Sequence, residues 1–130
     1  MARTAVIAVS ELLFQSRIDG ALRALGFDTV GADTAQRLDD ALAAKPDIVL
    51  INVQERAFEA RDAIARAKAS DARVLAFGQH TSPAELRAAR DAGADIAVPR
   101  SEVAERLPEL VERLFRHAAG ASEPAPAGDA

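Results

Sequence analysis

The chain contains no cysteine, no tryptophan and no tyrosine. Without cysteine there are no disulfides, thiolate zinc sites, iron–sulfur clusters or cysteine nucleophiles. Two histidines, His80 and His117, cannot supply a three-histidine metal site. With five phenylalanines as the only aromatics, the core must be aliphatic. Positive charge is not in excess: 16 Lys and Arg face 20 Asp and Glu, a net charge of −4. No domain-wide positive field exists to hold nucleic acid or anionic lipid. Long apolar runs are also missing. The run Ala5 to Val9 ends at Ser10 and Glu11, too short for a secretory core or a membrane span. A buried strand and a cytoplasmic location are expected instead. Neither a Walker loop nor a nucleophile-elbow pattern occurs.

What remains is enough for one domain with a tail: 130 residues, 49% of them hydrophobic, which excludes wholesale disorder. The 31 alanines, and 14 arginines against 2 lysines, are the bias of a GC-rich bacterial genome and carry no function.

Short apolar runs alternate with helical patterns. Residues 4–9 are unbroken and apolar, as in a strand covered on both faces. Over 11–25, Leu12, Ile18, Leu22 and Leu25 recur at roughly helical spacing, with Gly26 as the stop and Gly20 as a weak point. Residues 27–31 form a weaker strand. Asp33 and Gln36 resemble a capping box opening a second helix, whose Leu38 and Leu42 face inward before Lys45–Pro46 closes it. The clearest strand is 47–53, β-branched and aliphatic. An Ala-rich helix over 55–69 carries Phe58 and Ile64, and a strand follows at 73–77. Ser82, Pro83 and Glu85 mark a helix start that runs to Ala92-Gly93. Residues 95–98 are a fifth strand ending at Pro99, and Ser101 can cap a turn. Leu107, Leu110, Val111, Leu114 and Phe115 then define an amphipathic helix, with Pro108 in its first turn or kinking a longer one. Residues 118–130 lack large apolar side chains and are expected to be a flexible tail, leaving 1–117 as the domain.

Alternating strands and helices imply a parallel sheet between helical layers. Ligands in such folds meet the carboxyl ends of the strands. The positions that matter are therefore Ser10, Glu11, Asp33, Asn52 to Gln54, Gly78 to Ser82, and Pro99 to Ser101. A flavin-phosphate or dinucleotide site needs a Gly- or hydroxyl-rich loop after the first strand. Here Glu11 would repel a phosphate and Leu12 and Leu13 would crowd it, so no such cofactor is expected.

Two segments carry a family resemblance. Residues 46–52, PDIVLIN, are similar to Pro-Asp-Leu-Val-Leu-Leu-Asp of the receiver domain of bacterial two-component response regulators. Residues 92–95, Ala-Gly-Ala-Asp, are followed as in that family by a strand and a basic residue, Arg100. The likeness spans about residues 3–117. It implies a three-layer, flavodoxin-like fold with a five-stranded parallel sheet in the order 2-1-3-4-5.

In that family an aspartate ending strand three takes a phosphoryl group. Two acidic residues after strand one bind magnesium, a Ser or Thr after strand four and a Lys after strand five contact the phosphoryl group, and a proline follows the Lys. Most of these positions depart from the pattern here. Asn52 stands at the phosphoacceptor, Ser10 and Glu11 at the acidic pair, Gly78 at the hydroxyl position, Arg100 at the lysine, and Ser101 at the proline. A two-residue slip would bring His80 or Thr81 near the hydroxyl position. Ala97 stands where many receivers carry a switching aromatic.

An amide is not a nucleophile towards a phosphodonor, and magnesium needs anionic oxygens. The resemblance therefore implies a degenerate pocket with no catalysis and no metal. The expected function is a stand-alone pseudo-receiver in bacterial signalling, without an output domain, binding a protein partner. A homodimer through residues 83–117 would follow the family's usual output face, and exposed Leu or Val there would support it. Two alternatives stay open. One is a regulator phosphorylated on a displaced acceptor such as Ser10 or Asp33. The other is an enzyme or small-ligand binder on the same fold.

Individual side chains also have plainer readings. Asn52 can be satisfied by neighbouring backbone, and Glu11 can be a solvated first-turn residue. Arg100 can bridge to Glu11 or Asn52, or stand as an exposed loop charge. His80 is a surface loop residue, and His117 sits near a helix C-terminus. Arg56, Arg61, Arg66 and Arg73 interleave with Glu55, Glu59, Asp62 and Asp71 as a solvated face.

Overall fold

The first apolar run forms β1 (Thr4–Ala8), whose last four residues are buried. In this computed structural model, residues 3–79 and 83–120 are described, with side chains through residue 116. The other strands are β2 (Asp28–Gly31), β3 (Ile48–Asn52), β4 (Arg73–Gly78) and β5 (Ile96–Pro99). They pair in parallel in the order β2-β1-β3-β4-β5. The helices between them are α1 (Leu12–Ala24), α2 (Ala35–Ala43), α3 (Ala60–Ala69), α4 (Pro83–Asp91) and α5 (Arg100–Gly120).

Period-two alternation sorts the core into two layers. Ala5, Ile7, Ile48, Leu50, Leu75, Phe77 and Ile96 pack with Phe14, Ile18 and Leu22 of α1 and with Val103, Leu107, Leu110 and Leu114 of α5. Val6, Ala8, Val49, Ile51, Val74, Ala76 and Ala97 face Leu38, Leu42, Ile64 and Ala89 on α2, α3 and α4. The central strands are thus buried on both faces, which is why their sequences are continuous rather than alternating. Each fully buried Leu or Ile contributes about 1.5–3 kcal/mol.

Several local expectations are corrected. In α1 the inward stripe is Phe14, Ile18 and Leu22, spaced by four, while Leu12 is 72% and Leu25 41% exposed. Leu12 lies two residues ahead of that stripe, about half a turn around the helix. In α2 the cap is Thr34, whose hydroxyl accepts from the Arg37 backbone N–H at 3.1 Å. Asp33 pairs instead with the Arg37 guanidinium at 3.3 Å, and Gln36 donates to Asp40 at 3.0 Å. α3 begins only at Ala60, because the Glu59 carboxylate caps it, accepting from Asp62 and Arg61 backbone N–H groups. β5 runs straight into α5, so Ser101 is a helical residue rather than a turn cap. Pro108 interrupts that longer helix: Arg106 is non-helical (φ −131°, ψ 28°), and proline offers no N–H to the preceding turn. The helix continues to Gly120, past the expected start of the tail. Ser82, expected to cap α4, lies outside the described residues, as do His80, Thr81 and residues 121–130.

The two aspartates of the family-like segments have structural work. Asp47 accepts the Thr4 backbone N–H at 2.8 Å, tying the start of β3 to β1. Asp95 accepts the Val74 backbone N–H at 2.8 Å and the Lys68 ammonium at 2.8 Å, tying the start of β5 to β4 and α3. At the opposite end of the molecule from the strand tips, the Phe115 ring stacks on Phe27, and the Arg3 guanidinium lies 4.0 Å from its centroid. Arg73 lies 5.2 Å from the same ring, so it departs from the solvated face on which the sequence places it.

Candidate functional site

At the carboxyl ends of the strands the four loops are joined by side chains. Asn52, the last residue of β3, is half-buried, and its carbonyl oxygen accepts the Gln54 backbone N–H at 3.1 Å. The Gln54 carbonyl oxygen accepts the Gln79 backbone N–H at 2.9 Å. Gln79 in turn accepts from the Arg100 guanidinium at 3.1 Å. Arg100 also donates to Glu11 at 2.5 Å and lies 4.0 Å above the centroid of the Phe14 ring. Phe14 packs against Phe77 with the rings tilted at 60° and their centroids 5.4 Å apart.

The result is a cleft of about 430 Å³ lined by Val9, Glu11, Phe14, Asn52, Gln54, Phe77, Gln79 and Arg100. A neighbouring recess of about 470 Å³ shares Phe14, Gln79 and Arg100 and adds Arg17, Ser101 and Glu105. Beside the cleft, the Glu55 carboxylate accepts the Ser10 backbone N–H at 2.9 Å and the Ser10 hydroxyl.

Of the expected site residues, Glu11, Asn52 and Arg100 line one cleft, and Arg100 bridges to Glu11 rather than to Asn52. Gly78 closes β4 next to Pro99 and supplies no hydroxyl. Ser10 is engaged by Glu55 and is not in the lining. Asp33 is held in its pair with Arg37 and is likewise not in the lining. Ala97 is buried, its carbonyl accepting from Arg90 at 3.3 Å. Sequence reasoning assigned no role to Gln54, Gln79 or Phe14, and it placed Glu55 on a solvated face, where the structure instead pairs it with Ser10. The first two fall in loops singled out as strand ends, but nothing in one chain marks a glutamine as a link between loops.

This arrangement does not fit a divalent cation. Glu11 is committed to Arg100, Glu55 to Ser10, and Asn52 is neutral. Among the described residues no group of three or more His, Asp or Glu is placed to hold a metal. Arg100 is itself engaged: its pair with Glu11 is half in solvent, worth about 0.2–1 kcal/mol, with a comparable gain from the ring below it. No described helix is long and apolar enough to cross a membrane.

Comparison with known proteins supports the architecture. No family model matches the chain, and no curated protein matches its sequence. Solved structures do. A response regulator from Thermotoga maritima matches with a TM-score of 0.76 at 19% identity, covering 89% of this chain and 99% of that one. The N-terminal domain of a response regulator/sensory box/GGDEF three-domain protein from Carboxydothermus hydrogenoformans gives 0.77 at 18% identity, covering 93% and 100%. A response regulator from Burkholderia pseudomallei, solved with a phosphorylated aspartic acid, calcium ion and citrate, gives 0.77 at 18%, covering 92% and 71%. At these identities the likeness establishes the fold: a flavodoxin-like, five-stranded receiver fold.

Proposed function

We propose that the chain is a pseudo-receiver in bacterial signal transduction, acting in the cytoplasm by protein–protein contact that does not depend on phosphorylation. The observation that carries this reading is the state of Asn52. An amide stands at the strand-three tip, and its oxygen is turned onto the Gln54 backbone N–H. The remaining groups agree with it. Arg100 is held by Glu11, and the carboxylates that would bring a metal to the phosphoryl group are absent or engaged.

The partner surface is less like the family than the fold. Among the described residues of 83–117 no large hydrophobic side chain is exposed, so that face lacks the apolar support a homodimer there would draw on. Among the described residues the exposed large hydrophobics are Leu12, Leu13 and Leu25 on or beside α1, and Val30 on the edge strand β2.

The reading is tested by recording backbone amide spectra before and after adding magnesium with a small phosphodonor. Superimposable spectra are expected. Shifts that spread from the strand tips into α4 and β5 would overturn the proposal.

A further inference from the structure

The end of the molecule opposite the strand tips carries two arginines on one aromatic ring. Arg3, just ahead of β1, lies 4.0 Å from the Phe115 centroid, and Arg73, the first residue of β4, lies 5.2 Å from it. The ring itself stacks on buried Phe27 at 6.2 Å. Neither guanidinium has a carboxylate or hydrogen-bond partner among the described residues, and the Arg73 Nε is buried without an acceptor. A ring face is a weak counter-charge, and a half-buried cation without an anion is costly. The acids of this edge are turned elsewhere. Asp47 accepts from Thr4, and Asp95 from Val74 and Lys68. Asp71 sits in the turn that ends α3, its N–H on the Lys68 carbonyl. Thr29 reaches Asp19 on α1, so the preceding Asp28 falls on the other face of the sheet. What leaves the fold beside the two arginines is the end of α5. Gly120 is five residues past Phe115, about 7.5 Å along a helix. The segment that follows, 121–130, contains Glu123 and Asp129 and no lysine or arginine.

We propose that residues 121–130 fold back onto this patch, the Glu123 carboxylate accepting from the terminal –NH2 groups of Arg73 and Arg3, with Asp129 adding to the attraction. Three residues take the chain from Gly120 to Glu123, a reach of about 10 Å when extended, which matches the distance back to Phe115. Tethering makes the contact intramolecular, so charge pairs of little intrinsic strength suffice to populate it. The other residues of the segment are Ala, Pro, Gly and Ser, with no bulky group to hold it off the half-buried Phe115 ring. The carboxylates supply the acceptors that Arg73 lacks, and the segment covers the aromatic base of the layer formed by α1 and α5. The contact is independent of the chemistry at the strand tips and does not rest on the function proposed above.

The chain has no cysteine, so Ala125→Cys gives a single site for a nitroxide label on the isotope-labelled full chain. Paramagnetic loss of amide peak intensity, severalfold, is expected at Arg3, Phe27 and Arg73 as well as in the last turns of α5. Glu123→Gln combined with Asp129→Asn changes only residues beyond α5, so the fold is not at risk. That pair of changes should restore the intensities at Arg3, Phe27 and Arg73 and shift the Arg73 Nε–H resonance. Salt at about 0.5 M should do the same, because pairs this exposed are screened. Spin-labelled chain without isotope, mixed with isotope-labelled wild type, reports contact between copies. No loss is expected in that mixture, and a loss at the two arginines there would overturn the proposal. Losses confined to α5 would also overturn it, as would losses at Arg3 and Arg73 that persist in the chain carrying Glu123→Gln and Asp129→Asn.

Discussion

Arg100 and Asp19 show how much a side chain's partner decides its chemistry. Arg100 stands where a phosphoryl-contacting cation is expected, yet its donors are divided between Glu11 and Gln79. Asp19 on α1 is outside the cleft. The Thr29 hydroxyl on β2 holds its carboxyl below the ordinary value; burial opposes it, and Arg23 adds to the lowering. A carboxyl depressed in the folded state binds fewer protons than in the unfolded chain. Its stabilisation is therefore present above the unfolded value of about 3.9 and is lost as pH falls through the folded one. Asp19→Asn should lower the melting temperature at neutral pH and by less in strong acid, in a thermal denaturation series across pH. An equal loss at every pH would contradict this assignment. At this scale Asn52, Glu11 and Arg100 were legible, because their positions follow from the strand ends. Gln54, Gln79 and Glu55 were not. Their partners are 25 and 45 residues away, and only the folded backbone brings them together.

Among the elements, α1 is built against its own propensity. Gly20 sits inside it, and a Cβ there would meet nothing within 4 Å. Neither a tight contact nor a positive φ requires glycine at that position. Gly20→Ala should stabilise the protein by about 0.5–1 kcal/mol, seen as a higher denaturation midpoint at unchanged slope. A destabilised variant would contradict the reading that position 20 has room for a Cβ in a helical backbone. Most elements were legible from periodicity and from Gly26, Pro46, Pro83 and Gly93. Two stops without glycine were also legible: α2 ends ahead of Lys45–Pro46 and α3 ends at Ala69 as expected, the chain turning through Lys45 and Asp71 at φ of 59° and 69°. The capping box at Asp33 failed because Thr34 offers the same chemistry one residue later. The kink at Arg106 was legible only as an alternative, since Pro108 suits either a first turn or a broken helix.

For the whole molecule, the sheet order and the two helical layers follow from five continuous apolar strands alternating with amphipathic helices. The segments that carry the family likeness, PDIVLIN and Ala-Gly-Ala-Asp, owe it partly to Asp47 and Asp95. Both are strand-start ties rather than reacting groups. Such ties belong to the backbone frame and are independent of which side chain, here the Asn52 amide, stands at the tip of β3. Which leucines are exposed was not legible, because that depends on which face of a helix meets the sheet. The proposed function requires that the chain is not phosphorylated at Asn52, the tip of β3. Intact-mass spectrometry of the wild type and of Asn52→Asp, after incubation with magnesium and a small phosphodonor, is the test. The wild type is predicted to keep its mass. An adduct confined to Asn52→Asp would agree with that requirement and place the loss in the acceptor alone. A phosphoryl adduct on the wild-type chain would contradict it.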